Sequence, residues 1–272
     1  MELRRGRGSL NGNGASLRCL VHGPARGAWN MAVDEALMDS ARGGAVTLRL
    51  YGWEPGCLSF GRNQTAQGRY DGARAAQRGI DVVRRPTGGR SVFHYRELTY
   101  SLTAPADEWG GLRDAYLRIN RALAAGLREL GAPVEVVDAR EAGPTPRPTV
   151  RACFRDPLPG EVVADKRKLI GSAQWRDGEA LLQHGSLLLH NDQSIVEDLR
   201  VGGPGAVAVP AAGLAEFLDP LPDLERISQA LAASFSDELE RDAAREDLTT
   251  TERAAAERAR TKYEDDAWTW RR

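Results

Sequence analysis

The chain has 272 residues, 42% of them hydrophobic, with a formal net charge of −1, 37 cationic side chains and three cysteines. That length suits one large α/β domain with additions, and with no apolar run near eighteen residues the sequence predicts no membrane-spanning helix and a cytoplasmic protein. Dispersed arginines at near-neutral charge leave no footprint for nucleic acid, and three cysteines without a Cys-x-x-Cys pair indicate neither a disulfide framework nor a zinc site.

Residues 1–16 are basic and rich in Gly and Asn, lack the apolar centre of a secretory signal, and are expected to form a disordered tail. A strand is predicted over 17–21, followed by a helix through 31–37 with Asn30 as its cap. Alternation predicts a strand over 46–51, and Pro55-Gly56 turns into another over 57–60. Val82, Val83, Phe93 and the run 98–102 mark further strands around a loop containing Pro86, Gly88 and Gly89. Leu112, Tyr116, Ile119, Leu123, Leu127 and Leu130 recur at steps of three and four, a helix with one apolar face that Gly131 and Pro133 stop. The proline-rich stretch 142–149 reads as a loop that delivers Cys153. Three antiparallel strands are predicted over 162–164, 168–175 and 180–189, with Asp177-Gly178 turning between the last two and Lys168 opening the middle one. An amphipathic helix through Leu224, Ile227, Leu231, Phe235 and Leu239 follows, and Thr249 with Glu252 forms a capping box for a charged helix ending near Tyr263.

Only Lys166, Lys168 and Lys262 among the cationic residues are lysine, so a lysine kept in this chain is a candidate for a role that arginine cannot fill. Lys168 lies fifteen positions after Cys153. A free thiol of pKa about 8.5 is only slightly ionised at neutral pH, and a nearby ammonium stabilises its thiolate. Cys153 sits among Arg151, Arg155 and Asp156, whereas Cys19 and Cys57 lie in apolar, strand-like runs and read as small core residues. Taken alone, Cys153 could equally be an inert thiol, and Lys168 a solvated lysine at a strand edge.

Two further segments stand out. The run Arg84-Arg85-Pro86-Thr87-Gly88-Gly89-Arg90 combines cations with a backbone that a ligand can approach closely, though a tight connection with solvated arginines would look the same. It does not match a phosphate-binding loop, which would end in Gly-Lys-Ser/Thr. His94, which lacks a nearby carboxylate in sequence, reads as a hydrogen-bonded structural histidine rather than a base. Gln183-His184-Gly185-Ser186 interrupts an apolar strand and suits either one wall of a pocket or a buried hydrogen-bond network.

Together with Asn30-Met-Ala-Val-Asp34-Glu35, Tyr51-Gly-Trp53-Glu-Pro55-Gly-Cys57, Glu97-Leu-Thr-Tyr-Ser101 and Lys168-Leu-Ile-Gly171-Ser172-Ala-Gln174, these segments resemble the biotin/lipoate protein ligase superfamily, and within it the octanoyltransferases of the LipM type. The resemblance covers nearly the whole chain. It implies an α+β fold, a mixed and largely antiparallel β-sheet flanked by helices, with a 17–245 acyltransferase domain between the 1–16 tail and a 246–272 C-terminal helical extension. It also implies transfer of octanoyl from octanoyl-acyl carrier protein to a lysine of a lipoyl-domain or glycine cleavage H-type protein, in lipoate biosynthesis. Cys153 would be the nucleophile and Lys168 its catalytic partner. Arg84, Arg85, Thr87, Gly88, Gly89, His94, Gly171, Ser172, His184 and Gly185 would bind substrate, with no cofactor, metal, nucleic acid or membrane. Tyr95, where the family usually has an acidic residue, and Pro157-Leu-Pro-Gly160 depart from the pattern. An ATP-dependent lipoate-protein ligase stays open, although Arg90 stands where such ligases usually have a third glycine and Cys153 would be unexplained. So do an amidotransferase between carrier proteins and a non-catalytic carrier-binding protein.

Overall fold

The computed structural model describes residues 16–138, 154, 157–203, 205 and 207–271. Its elements, in chain order, begin with β1 (Leu17–Val21), α1 (Gly27–Arg42), β2 (Val46–Tyr51), β3 (Cys57–Phe60), α2 (Gly72–Gln77), β4 (Asp81–Arg84), β5 (Val92–His94), β6 (Glu97–Pro105), α3 (Leu112–Glu129) and β7 (Val134–Val136). After the undescribed segment come β8 (Val162–Ala164), β9 (Arg167–Lys168), β10 (Ile170–Arg176), β11 (Ala180–Leu188), α4 (Ser194–Asp198), α5 (Leu224–Leu239), β12 (Ala243–Arg245), α6 (Thr250–Glu264) and α7 (Asp266–Thr269).

The main sheet runs β10-β11-β6-β2-β1-β12. Its first three pairings are antiparallel and the last two, β2 with β1 and β1 with β12, parallel. Two three-stranded sheets, β4-β3-β5 and β7-β8-β9, flank it. This is the mixed, largely antiparallel sheet with helices that the sequence predicts.

Alternation along β2 places Val46, Leu48 and Leu50 in one core cluster with Ile119 and Leu123 of α3 and Phe235 of α5. The opposite face carries Thr47, Arg49 and Tyr51, and it is buried too, because α1 covers it. The same division holds in β6, where Leu98, Tyr100 and Leu102 belong to the α3–α5 core while Ser101 reaches Asp34 of α1. One face of the sheet is therefore an ordinary apolar core, and the other is a buried polar layer from which a site can be built.

Two local readings need correction. Asn30 does not cap α1: the helix starts at Gly27, and Asn30 is a buried residue of its second turn. There its side chain donates to Ala25 O and Gly52 O and accepts from Arg49 Nη2 at 2.9 Å. Lys168 does not open the strand that continues to Trp175. It ends the two-residue β9, paired with β8 in a separate sheet, and the main-sheet strand β10 begins at Ile170. By contrast, the helices α3 and α5 and the capping box of α6, with Thr249 and Glu252 each accepting the other's backbone N–H, are where the sequence puts them.

Candidate active site

A cavity with about 370 Å³ of empty space, its open mouth included, lies on the α1 face of the main sheet, where β10 and β11 meet the β4-β3-β5 sheet. Six of the ten residues expected to bind substrate line it: Arg85, His94, Gly171, Ser172, His184 and Gly185. Met31, Tyr51, Trp53 and Val92 add apolar wall. Gly185 stands opposite Tyr100 on one side and Ser172 on the other. A Cβ there would come within 2.8 Å of both side chains and 2.6 Å of Gly171 O, so only glycine keeps this wall open.

His184 is fixed at both ring nitrogens: Nδ1 lies 3.0 Å from Asp34 Oδ2, and Nε2 lies 2.7 Å from the hydroxyl of Thr87. Asp34 is fully buried and also accepts from Arg49, Tyr51 and Ser101 at 2.8 to 2.9 Å. Burial alone would raise its pKa, but the hydrogen bond with His184 and the Arg49 charge outweigh it and hold the carboxyl below its ordinary value. A carboxylate can only accept, so His184 Nδ1 carries the proton and Nε2 accepts from Thr87. Burial lowers the His184 pKa and the Asp34 contact opposes this only in part, so the imidazole is neutral. The same Asp34 charge, added to burial, pushes the Tyr51 phenol well above its usual range.

His94 heads a second buried chain. Arg85 donates to Ser59 Oγ at 2.9 Å, which leaves the single Ser59 hydroxyl proton for His94 Nε2 at 2.7 Å. His94 Nδ1 then faces Glu97 Oε1 at 2.8 Å. Trp53 stacks on the imidazole, centroids 4.1 Å apart, and donates to Thr99 at 2.7 Å, whose hydroxyl in turn donates to Glu97. The sequence reading overlooked this carboxylate, only three positions away, because the tight turn at 95–96 carries the chain into another sheet. Ser59, His94 and Glu97 follow the order of a hydrolase triad. Ser59 is fully buried, pinned by Arg85 and outside the cavity lining, so it cannot meet a substrate as a nucleophile.

The loop between β4 and β5 serves the cavity from behind. Arg85 Nη2 holds Gly88 O and Arg90 O at 2.9 and 2.6 Å. Gly89 has φ +89, and the Gly89 carbonyl approaches Gly61 so closely that a Cβ on Gly61 would lie 2.0 Å from it. Arg84 is fully buried and turned away from the cavity, donating to Gly61 O and Gln64 O on one side and to Trp268 O, Thr269 O and Arg271 O on the other.

Lys168 is no solvated lysine. Its side chain is 2% exposed, and Nζ sits 2.6 Å from Glu161 Oε1 and 5.4 Å from the Phe154 ring centroid. Phe154 packs in turn on Gly171 in the cavity wall, where a Cβ would lie 2.8 Å from its ring. Cys153, with Arg151, Arg155, Asp156, the stretch 142–149 and tail residues 1–15, lies outside the described residues. The two described cysteines are buried: burial pushes the Cys19 thiol up to about 11 and the Cys57 thiol well above its ordinary value. Sequence reasoning missed Asp34 as the anchor of His184, and Glu161 and Phe154 as neighbours of Lys168. Glu161 lies directly before β8, and only the β8–β9 pairing, in which residues 161 and 163 share a face and Val163 lies opposite Lys168, brings it to the lysine.

Residues 26–236 match the model of the lipoyl protein ligase A/B catalytic domain. This chain belongs to that family. Within the lipoyl protein ligase A/B family it is similar to octanoyltransferase LipM of Kyrpidia tusciae, 38% identical over 94% of this chain and 98% of that protein. It is likewise similar to octanoyltransferase LipM of Carboxydothermus hydrogenoformans, 34% identical over 93% and 98%. A shorter match to octanoyltransferase LipM of Moorella thermoacetica reaches 47% over 59% of this chain and 60% of that one. Among solved structures, lipoate-protein ligase A bound with ATP superposes with a TM-score of 0.78 at 23% identity, over 94% of this chain and 99% of that one. A bipartite lipoate protein ligase of Thermoplasma acidophilum, studied with its E2 lipoyl domain, gives 0.76 at 22%, over 94% and 96%. At these identities the likeness is one of fold.

Proposed function

We propose that this chain is an octanoyltransferase of lipoate biosynthesis, which moves an octanoyl group from acyl carrier protein to a lysine of a lipoyl-accepting protein through a thioester on Cys153. The full-length similarity to LipM octanoyltransferases supports the reaction. The observation that carries the assignment of residues is the setting of Lys168: a desolvated lysine, held by Glu161, beside the ring of the residue bonded to Cys153. Cys153 immediately precedes Phe154 in the sequence, and this adjacency is what links the proposed nucleophile to Lys168. Cys19 and Cys57, with thiols raised by burial, are poor sources of thiolate at neutral pH.

In the first half-reaction the Cys153 thiolate attacks the carrier's thioester carbonyl. A new C–S bond forms, the old one breaks, and the carrier thiol takes up the proton that Cys153 gave up. In the second, the acceptor lysine amine attacks the acyl-enzyme, the C–S bond breaks as the amide forms, and the amine's surplus proton returns to Cys153. Lys168 stabilises the thiolate and the oxyanion of each tetrahedral intermediate. The cavity takes the acyl chain, with Arg85, His94, Gly171, Ser172, His184 and Gly185 lining it. Thr87, Gly88 and Gly89 act from behind the wall, Thr87 by fixing His184 and the glycines by giving the loop that Arg85 braces its close turn. Arg84 contributes by fixing the loop that carries Arg85. Burying about six methylenes at roughly 0.8 kcal/mol each supplies on the order of 5 kcal/mol, enough to favour octanoyl over much shorter chains. The acceptor is a lipoyl domain or a glycine cleavage H-type protein, and the site of action is the cytoplasm. Among the described residues no helix is long and apolar enough to cross a membrane.

Intact-mass analysis after mixing the chain with octanoyl-acyl carrier protein, without ATP, tests the reading. We expect one octanoyl adduct, labile to hydroxylamine and lost in Cys153→Ala. An adduct mapping to Cys19 or Cys57, or octanoylation that requires ATP and free octanoate, would refute it.

A further inference from the structure

Glu161, the counter-ion of Lys168 among the described residues, is itself built into place. Glu161 closes a turn in which its own N–H donates to Leu158 O at 3.1 Å and Leu158 N–H donates to its Oε2 at 2.8 Å. The turn passes through Gly160, which has φ +84 and packs so tightly on α3 that a Cβ would lie 2.8 Å from Leu117. Asn120 of α3 fastens the Gly160 carbonyl at 2.9 Å. One carboxylate oxygen of Glu161 is thus occupied by the backbone and the other points at Lys168. Across the β8–β9 hairpin, Lys168 pairs with Val163 and Glu161 lies two residues before Val163, so the two side chains share a face on a diagonal that a long lysine can span.

At 2% and 4% exposure these charges have little water to fall back on. A lysine buried alone sheds its proton, because desolvation disfavours the ammonium; paired with a fixed carboxylate it stays charged. Among the described residues, the other titratable groups near this pair are Tyr100 of β6, whose phenol feels the Glu161 charge, and Tyr116 of α3, packed beside Gly160. Arg167, next to Lys168, turns the other way, to Glu216 and Asp165.

We propose that Glu161 is a positioning residue of the transfer reaction, holding the Lys168 ammonium charged and in the place from which it serves Cys153. It touches neither the acyl group nor the thiol and acts through Lys168. The inference rests on the roles given above to Cys153 and Lys168, and one experiment separates the two claims.

The measurement is the pH dependence of iodoacetamide alkylation at the Cys153 peptide, read by mass spectrometry on the full chain. Lys168→Ala is expected to raise the Cys153 pKa by about one to three pH units, since it removes an adjacent cation. Glu161→Gln keeps the shape and the Leu158 contact but removes the charge, and is expected to raise it by a similar amount. The double variant Glu161→Gln/Lys168→Ala should match Lys168→Ala alone, and Glu161→Asp should recover part of the effect. A purely structural Glu161 would lower stability and leave the titration unmoved. If Lys168→Ala shifts the profile but Glu161→Gln leaves it unchanged, or shifts it to lower pH because the carboxylate merely competed with the thiolate for the ammonium, the positioning role is overturned and the assignment of Lys168 survives. If Lys168→Ala leaves the profile unchanged, both fall. Should Glu161→Gln fail to fold, Glu161→Leu/Lys168→Met replaces the buried pair with apolar side chains, an exchange that buried pairs often tolerate. It is expected to titrate as Lys168→Ala does, and a wild-type profile would overturn both the proposal and the assignment of Lys168. Glu161→Asp, which keeps the charge, then carries the separate test of Glu161, and a profile of Glu161→Asp shifted below that of wild type would overturn the positioning role.

Discussion

A buried carboxylate decides the state of the polar layer under α1. Asp34 is the common acceptor of Arg49, Tyr51, Ser101 and His184, and none of the first three can be lost without leaving a buried partner wanting. Asp34→Asn leaves the fully buried Arg49 guanidinium without its carboxylate, and breaking such a pair costs about 3 to 5 kcal/mol, so urea denaturation should show a loss of that order. Acid should act on the same groups. The folded-state pKa of His184 lies below 6.5, so its contribution is complete above pH 6.5 and fades as pH falls below that value; His22, also lowered, adds to the trend. Asp34 lies below 3.8, so its contribution is present above pH 3.8 and is lost on further acidification. Urea midpoints measured from pH 8 to 5 should fall in wild type, and fall less in His184→Gln. At this scale the sequence was legible where residues broke a pattern: His184 and Gly185 interrupt an apolar strand, and both line the cavity. Asp34 and Glu161 broke none, since a lone acid on a helix or before a strand looks like solvated surface until the chain folds over it.

Elements with a strong period were legible and elements defined only by their partners were not. The apolar steps of α3 and α5 and the capping box of α6 need no tertiary context to be seen. The strands β9 and β12 are two and three residues long, and what makes them strands is pairing with β8 and β1. The break at Leu169 that moves Lys168 out of the main sheet is invisible in a continuous run of residues for the same reason. Arg84 shows how a terminal element is bound to the site. Its guanidinium joins the carbonyls of 61 and 64 to those of 268, 269 and 271, and Trp268 Nε1 donates back to Arg84 O at 2.9 Å. A lysine has three donors on one atom and cannot span both groups. Arg84→Lys should therefore leave buried carbonyls unmet and cost about 2 to 4 kcal/mol in urea denaturation. Amides of α7 should exchange hydrogen faster in this variant, while those of α3 keep their protection relative to global unfolding.

Across the whole molecule, the question is whether residues 246–272 are an appendage or part of the core. Read as sequence, α6 is a charged helix within a C-terminal extension, with seven of its fifteen side chains ionic and only a narrow apolar stripe. That stripe, Ala256 and Tyr263, is buried in one cluster with Met31, Val33 and Leu37 of α1 and with Tyr51 and Trp53. Its polar residues are committed as well. Glu252 receives Arg18 and Ser40, and Glu35 of α1 receives Lys262 at 2.8 Å and Tyr263 at 2.5 Å. Met31, Tyr51 and Trp53 of this cluster also line the cavity, so α6 supports from outside the helix that closes the site. A chain cut after Arg245 would expose this apolar surface and leave Glu35 and Arg18 without those partners, which is the condition for losing fixed tertiary packing while keeping secondary structure. We expect the 1–245 chain to be insoluble, or to keep its far-ultraviolet circular dichroism while losing the near-ultraviolet signal and the octanoyl adduct. A soluble 1–245 chain with a cooperative thermal transition and an undiminished adduct would instead make the C-terminal region a true extension, and would place the whole machinery within 17–245.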